Sequence, residues 1–110
     1  MILIVFKFFT PKGFRGLTIY PFVFMVDKDD KLNEVFINHE KIHIRQQLEM
    51  LLLPFYIWYL IEFLYRRIQY KDKKQAYYAI SFEREAYANE KNLHYLKQRK
   101  FWHFLKYVKN

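Results

Sequence analysis

The chain has 110 residues and a net charge of +8, and aromatic residues make up 22% of it. That length implies one domain with a modest core; with no cysteine, disulfides and thiolate metal sites are excluded, so any metal must be held by His and carboxylate. Twelve Phe and 10 Tyr exceed what a small core hides, so part of that surface should meet lipid, a partner or a substrate.

Residues 1–9 are β-branched and aromatic, and they read as a strand. They lack the basic start, longer apolar stretch and small-residue cleavage site expected of a signal peptide, so a cytoplasmic location is expected, peripheral at the inner membrane face. Thr10-Pro11-Lys12-Gly13 supplies turn chemistry. Residues 17–26 form a second β-like run. Pro21 interrupts it, and proline cannot donate to a ladder, so an edge or bulged strand is expected. The first 30 residues thus predict a two-strand β element.

Asn33 is the expected N-cap of a helix over 33–53, with Val35, Ile42 and Met50 recurring at helical spacing. This helix carries His39-Glu40-Lys41-Ile42-His43. On a helix, residues four apart lie on one face. Two imidazoles so placed can reach one metal ion, and the Glu between them can hold a water. That is the arrangement of a zinc hydrolase, with two ligands and one general base. The bland alternative is two histidines that make only local hydrogen bonds.

Pro54 should end or kink this helix. A second apolar helix follows over 55–68. Met50 to Ile61 carry no charge, but Glu49 and Glu62 bracket the run and Pro54 breaks it. A membrane span needs about 20 apolar residues, so a buried helical hairpin is the first reading, an interfacial segment the second and a span the last. A long helix is expected over 74–99, then a basic aromatic tail over 101–108 that docks on the core or on a membrane interface. Residues 1–65 hold seven basic and seven acidic groups, whereas residues 66–110 hold twelve and four. The excess charge therefore sits in the C-terminal half, which suits an anionic surface or a solvated helix face.

A catalytic zinc takes three protein ligands and one open position. On a helix over 74–99, Glu83, Tyr87, Glu90 and His94 share one face. They make either a solvent-facing stripe or a polar wall opposite the two histidines. Glu85 is the rival to Glu83 as third ligand. It points about 200° away round the helix, so only one of the two can face the metal.

His39-Glu40-x-x-His43 followed by Glu83-Arg84-Glu85-Ala86 resembles the gluzincin metallopeptidases, over roughly residues 34–90. Their third ligand is a Glu on a second helix, in the pattern E-x-x-A-D. Arg45-Gln46-Gln47 is similar to small and membrane-linked members. The resemblance implies a minimal zincin-like domain, with Zn2+ on His39, His43 and Glu83 and with Glu40 as general base. Where the pattern has an Asp that orients a ligand His, this chain has Tyr87. That role passes to another group, or Tyr87 faces the substrate, or activity has decayed.

The expected fold class is α+β, mostly α: a two-strand β element followed by three to four helices in one domain. The expected function is zinc-dependent hydrolysis of a peptide or protein substrate. Tyr87 and His94 are candidate oxyanion donors, with Tyr77 and Tyr78 also open, and Thr18 to Val23 is the expected substrate-pairing edge. The alternative is a membrane-surface or interaction module whose zinc site is structural or vestigial, with an anionic membrane as partner. Nucleic-acid binding through the basic half ranks last, because no recognised motif accompanies the charge.

Overall fold

The computed structural model describes residues 1–10 and 13–108. Pro11, Lys12 and Lys109 of the expected turn and tail lie outside the described residues. The fold is α+β and mostly helical, as expected, but the sheet has three strands rather than two: β1 (Ile2–Val5), β2 (Gly16–Ile19) and β3 (Phe22–Met25), in the order β1-β3-β2. The run over 17–26 is not one interrupted strand. Pro21 falls in a turn, and the residues on either side fold back as the antiparallel pair β2–β3, while β1 runs parallel to β3. A residue without an N–H fits the turn better than the ladder. Val23 and Met25 face inward against Phe36 of the first helix.

That helix, α1 (Glu34–Glu49), begins where expected: the Asn33 side chain accepts from the Phe36 N–H at 3.1 Å. It ends four residues before the expected limit. The Leu51 N–H bonds to the Leu48 carbonyl and the Leu52 N–H to the Gln47 carbonyl, with Leu51 at φ 59°. This is a Schellman termination in which a leucine holds the left-handed position usually given to glycine. Pro54 therefore does not break α1. It sits in the first turn of α2 (Leu53–Gln69), where a missing N–H costs nothing. The two helices are bent by 114°, and among the described residues no single helix is long and apolar enough to cross a membrane.

The helix expected over 74–99 is three: α3 (Lys73–Ala79), α4 (Ser81–Asn89) and α5 (Tyr95–Gln98). Tertiary contacts make both breaks. Ile80 is extended and fully buried. The Ser81 N–H and hydroxyl both donate to Glu62 on α2, so a neighbouring helix caps α4. At the other end, Asn38 Nδ2 of α1 lies 2.8–3.3 Å from the carbonyls of Asn89, Glu90 and Asn92 and can satisfy two of them at once. The tail forms a short 3-10 turn (His103–Tyr107). It docks on the core: Phe104 is fully buried against Phe82 and Trp58, and Arg84 and Arg66 donate to the Tyr107 and Val108 carbonyls.

The helical hairpin is not buried on both sides. Phe55, Glu62 and Arg66 of α2 face the core, while Leu53, Ile57, Leu60, Ile61, Leu64 and Ile68 face outward and are exposed.

Candidate metal centre

His39 and His43 stand one turn apart on α1, and α4 crosses so that Glu83 meets both. Glu83 Oε1 lies 3.3 Å from His39 Nε2 and 3.0 Å from His43 Nε2, and the two Nε2 atoms are 3.1 Å apart. All three residues are buried, and one ligand atom from each lies within 4.8 Å of the others, so the group could hold a metal ion. Glu85 is not its rival. It is fully buried on another side of α4, where Arg99, Tyr95 and Gln46 donate to its carboxylate.

Each inward nitrogen is fixed by a partner on the opposite side of its ring. His39 Nδ1 lies 3.1 Å from Glu90 Oε1, and His43 Nδ1 lies 2.8 Å from Gln46 Oε1. Gln46 in turn donates to the Phe82 carbonyl and to Glu85, which Arg99 ties to α1 through Glu49. The second oxygen of Glu83 accepts from the Tyr59 hydroxyl of α2 at 2.8 Å. Such partners select the tautomer and aim the ring. The carboxylate that faces His39 Nδ1 is therefore Glu90, three residues beyond Tyr87. Tyr87 itself packs edge-on against His39, with ring centroids 4.4 Å apart, beside Tyr78.

The electrostatics follow from two imidazoles sharing one carboxylate. Burial disfavours charge on His43, but the Glu83 carboxylate, with Glu40 and Gln46, outweighs it and raises the ring to about 9. Burial likewise opposes charge on Glu83, and His43 and His39 overcome it, holding the carboxyl well below the usual range. Tyr59 is pushed well up by burial and by Glu83, so its hydroxyl stays a donor.

Glu40 and His43 line a cleft of about 450 Å³ that also reaches Glu83 and Tyr77. Its far wall is β2, and the Thr18 hydroxyl donates to Glu40 Oε2. The β2 edge is partly closed. Gln47 Nε2 donates to the Thr18 carbonyl and Gln47 Oε1 accepts the Tyr20 N–H, at 2.7 and 2.8 Å. Arg15 pairs with Val26 towards β3, so the backbone N–H and carbonyl groups of residues 16, 18 and 20 turn away from β3, and the Gly16 carbonyl and Thr18 N–H lie on the open part of that edge. Phe22 and Val23 belong to the central strand, so the expected edge over 18–23 shortens to its β2 part. Glycine at 16 lets Phe36 pack close, because a Cβ there would stand 2.8 Å from the Phe36 ring and 3.1 Å from the Phe24 carbonyl.

No family model, curated protein or solved structure matches the chain.

His94 does not join the cluster. The assumption of one continuous helix carried it onto the Glu83 face, but α4 ends at Asn89 and His94 is exposed at the start of α5. Gln46 and Gln47 enter the sequence pattern only through the resemblance and Thr18 only as part of the expected edge; their contacts with His43, β2 and Glu40, and the role of Tyr59, are not expected from it. Gln46 and Gln47 lie three and four residues after His43, a spacing that places them on the ligand face and could have marked them. Nothing local to Tyr59 or Thr18 points to their roles.

Proposed function

We propose that the chain is a zinc-dependent metallopeptidase. The observation that carries this reading is the convergence of His39, His43 and Glu83 beside Glu40, in a cleft with an open stretch of β-strand along its wall. Two imidazoles and one carboxylate are a zinc donor set. Their separations of 3.0–3.3 Å approach the edge of a tetrahedron around an ion at about 2.0–2.1 Å from each ligand. Both rings also have the outer hydrogen bonds that ligating histidines usually carry.

When bound, zinc supplies Lewis acidity, which acidifies water and polarises a carbonyl. The residues of the chain do the rest. Glu40 spends one oxygen on Thr18 and uses the other to take a proton from water and return it to the leaving amine. The open β2 edge at Gly16 and Thr18 pairs with an extended peptide and sets its register. Phe14, Leu17, Ile19 and Phe55 make the cleft apolar, favouring a large apolar side chain on the substrate. Tyr77 lines the same cleft, and burial and Glu83 push its hydroxyl far above the ordinary range, so it stays protonated; turning that proton from Tyr87 to the developing oxyanion makes it the donor.

Elemental analysis of the purified protein tests the site. One zinc per chain is expected, lost in His39→Ala and in Glu83→Ala. Glu40→Gln should retain the metal and lose peptide hydrolysis. Normal turnover by Glu40→Gln would remove Glu40 as the base, and a wild-type protein that takes up no zinc would end the proposal.

A further inference from the structure

We propose that the outer face of α2 docks on an anionic lipid surface. The docking does not depend on the peptidase reading. Leu53, Ile57, Leu60, Ile61, Leu64 and Ile68 recur at three- and four-residue spacing along one side of the helix, and each is more than half exposed. From Leu53 to Ile68 this stripe runs about 22 Å. A monomer in water rarely leaves so continuous an apolar face uncovered.

Charge identifies the occupant. The stripe ends at Ile68, 87% exposed, and the chain around and beyond it carries Arg67, Lys71, Lys73 and Lys74, all exposed. The one acidic residue in that stretch is Asp72, and its side chain is engaged as the cap of α3, accepting from the Lys74 N–H. An apolar helical face bordered by uncompensated cations is the pattern of a helix lying in a membrane interface, with its cations among anionic headgroups. A second copy of the chain would bring the same basic border of Arg67, Lys71, Lys73 and Lys74 to this surface and no added acidic partner for it. The surface is also continuous with the cleft: Leu60 of the stripe and Lys73 of its basic border both line it, so a docked α2 sets the cleft mouth at the lipid surface.

The test is sedimentation of the full chain with vesicles of phosphatidylcholine mixed with anionic phosphatidylglycerol, and with vesicles of phosphatidylcholine alone. Strong binding to the anionic vesicles is expected. It should weaken as salt rises from about 0.1 to about 1 M, which shortens the screening length from about 10 to about 3 Å. Ile61→Ser with Ile68→Ser should reduce partitioning by at least about tenfold, with thermal melting lowered only slightly, because Ile68 is 87% exposed and Ile61 61%. Lys71→Glu with Lys74→Glu should remove the preference for anionic vesicles. Wild-type protein left in the supernatant, or serine variants that bind as wild type does, would overturn the proposal. So would a stable dimer in sedimentation equilibrium that the serine variants dissociate, since the face would then belong to a second copy.

Discussion

Replacing Glu90 by Gln keeps the shape of the side chain and removes the charge facing His39 Nδ1 at 3.1 Å. The pair is well shielded, with side-chain exposures of 7% and 19%, so solvent screens it only in part. Carboxylate partners of this kind are worth about 10–100-fold in metal affinity, or about 1.4–2.7 kcal/mol. The amide of Gln can still accept from His39, so Glu90→Gln should fall at the low end, near tenfold, and Glu90→Ala near the high end. Tyr87→Phe keeps the ring contact with His39 and should leave affinity unchanged. Zinc affinity measured by competition with a chromophoric chelator separates these cases. If Glu90→Ala binds zinc as tightly as wild type, Glu90 does not replace the carboxylate absent at Tyr87, and the reasoning fails.

A metal ion needs the neutral ring of His43, whose folded value is about 9. Below that pH each ion displaces a proton, so affinity should climb about tenfold per pH unit and level off above about pH 9, as calorimetry in buffers of different ionisation enthalpy would show. Because the folded value is raised, the protonated ring stabilises the metal-free protein fully below about pH 6.5, and this is lost as pH rises through about 9. The denaturation midpoint of metal-free protein should therefore fall across that window. Phe104→Ala empties a fully buried site between Phe82 and Trp58 and should cost about 3–5 kcal/mol by urea denaturation. Leu51→Gly relieves a left-handed leucine that is 80% exposed. It should stabilise by up to about 1 kcal/mol, whereas glycine inside a helix costs about that much.

Where a signal was local, it could be read from the residues alone. Asn33 caps α1 through a side chain three residues from its target, and the spacing of His39 and His43 is a property of any helix. Glu83 was legible through a resemblance in pattern. The breaks before Ser81 and after Asn89 were not, because the side chains that bond those two residues, Glu62 and Asn38, lie 19 and 51 residues away. His94 was misplaced for that reason. Glu90 was placed on the correct face, but its contact with His39 depends on how α4 crosses α1. The third strand was hidden because Pro21 reads equally well as an interruption or as a turn. The outward face of α2 was hidden because an uncharged run says that a helix is apolar, not which sides are covered.

The burial of α1 is mostly polar. Of its eight buried residues only Phe36 and Ile42 are apolar, and the other six carry polar side chains. Unfolding normally raises heat capacity by about 12–15 cal/mol/K per residue, because newly wetted apolar surface adds to it and polar surface subtracts. Here the central helix releases polar surface, and the outer stripe of α2 is already wet in the native state. Both features shrink the step, to below the roughly 1.3–1.7 kcal/mol/K usual for a chain of this length. A small step flattens the curve of stability against temperature. For a given maximum stability, a fold knit through its amides and imidazoles stays folded over a wider range, from cold to warm, than one of equal size held by oil alone.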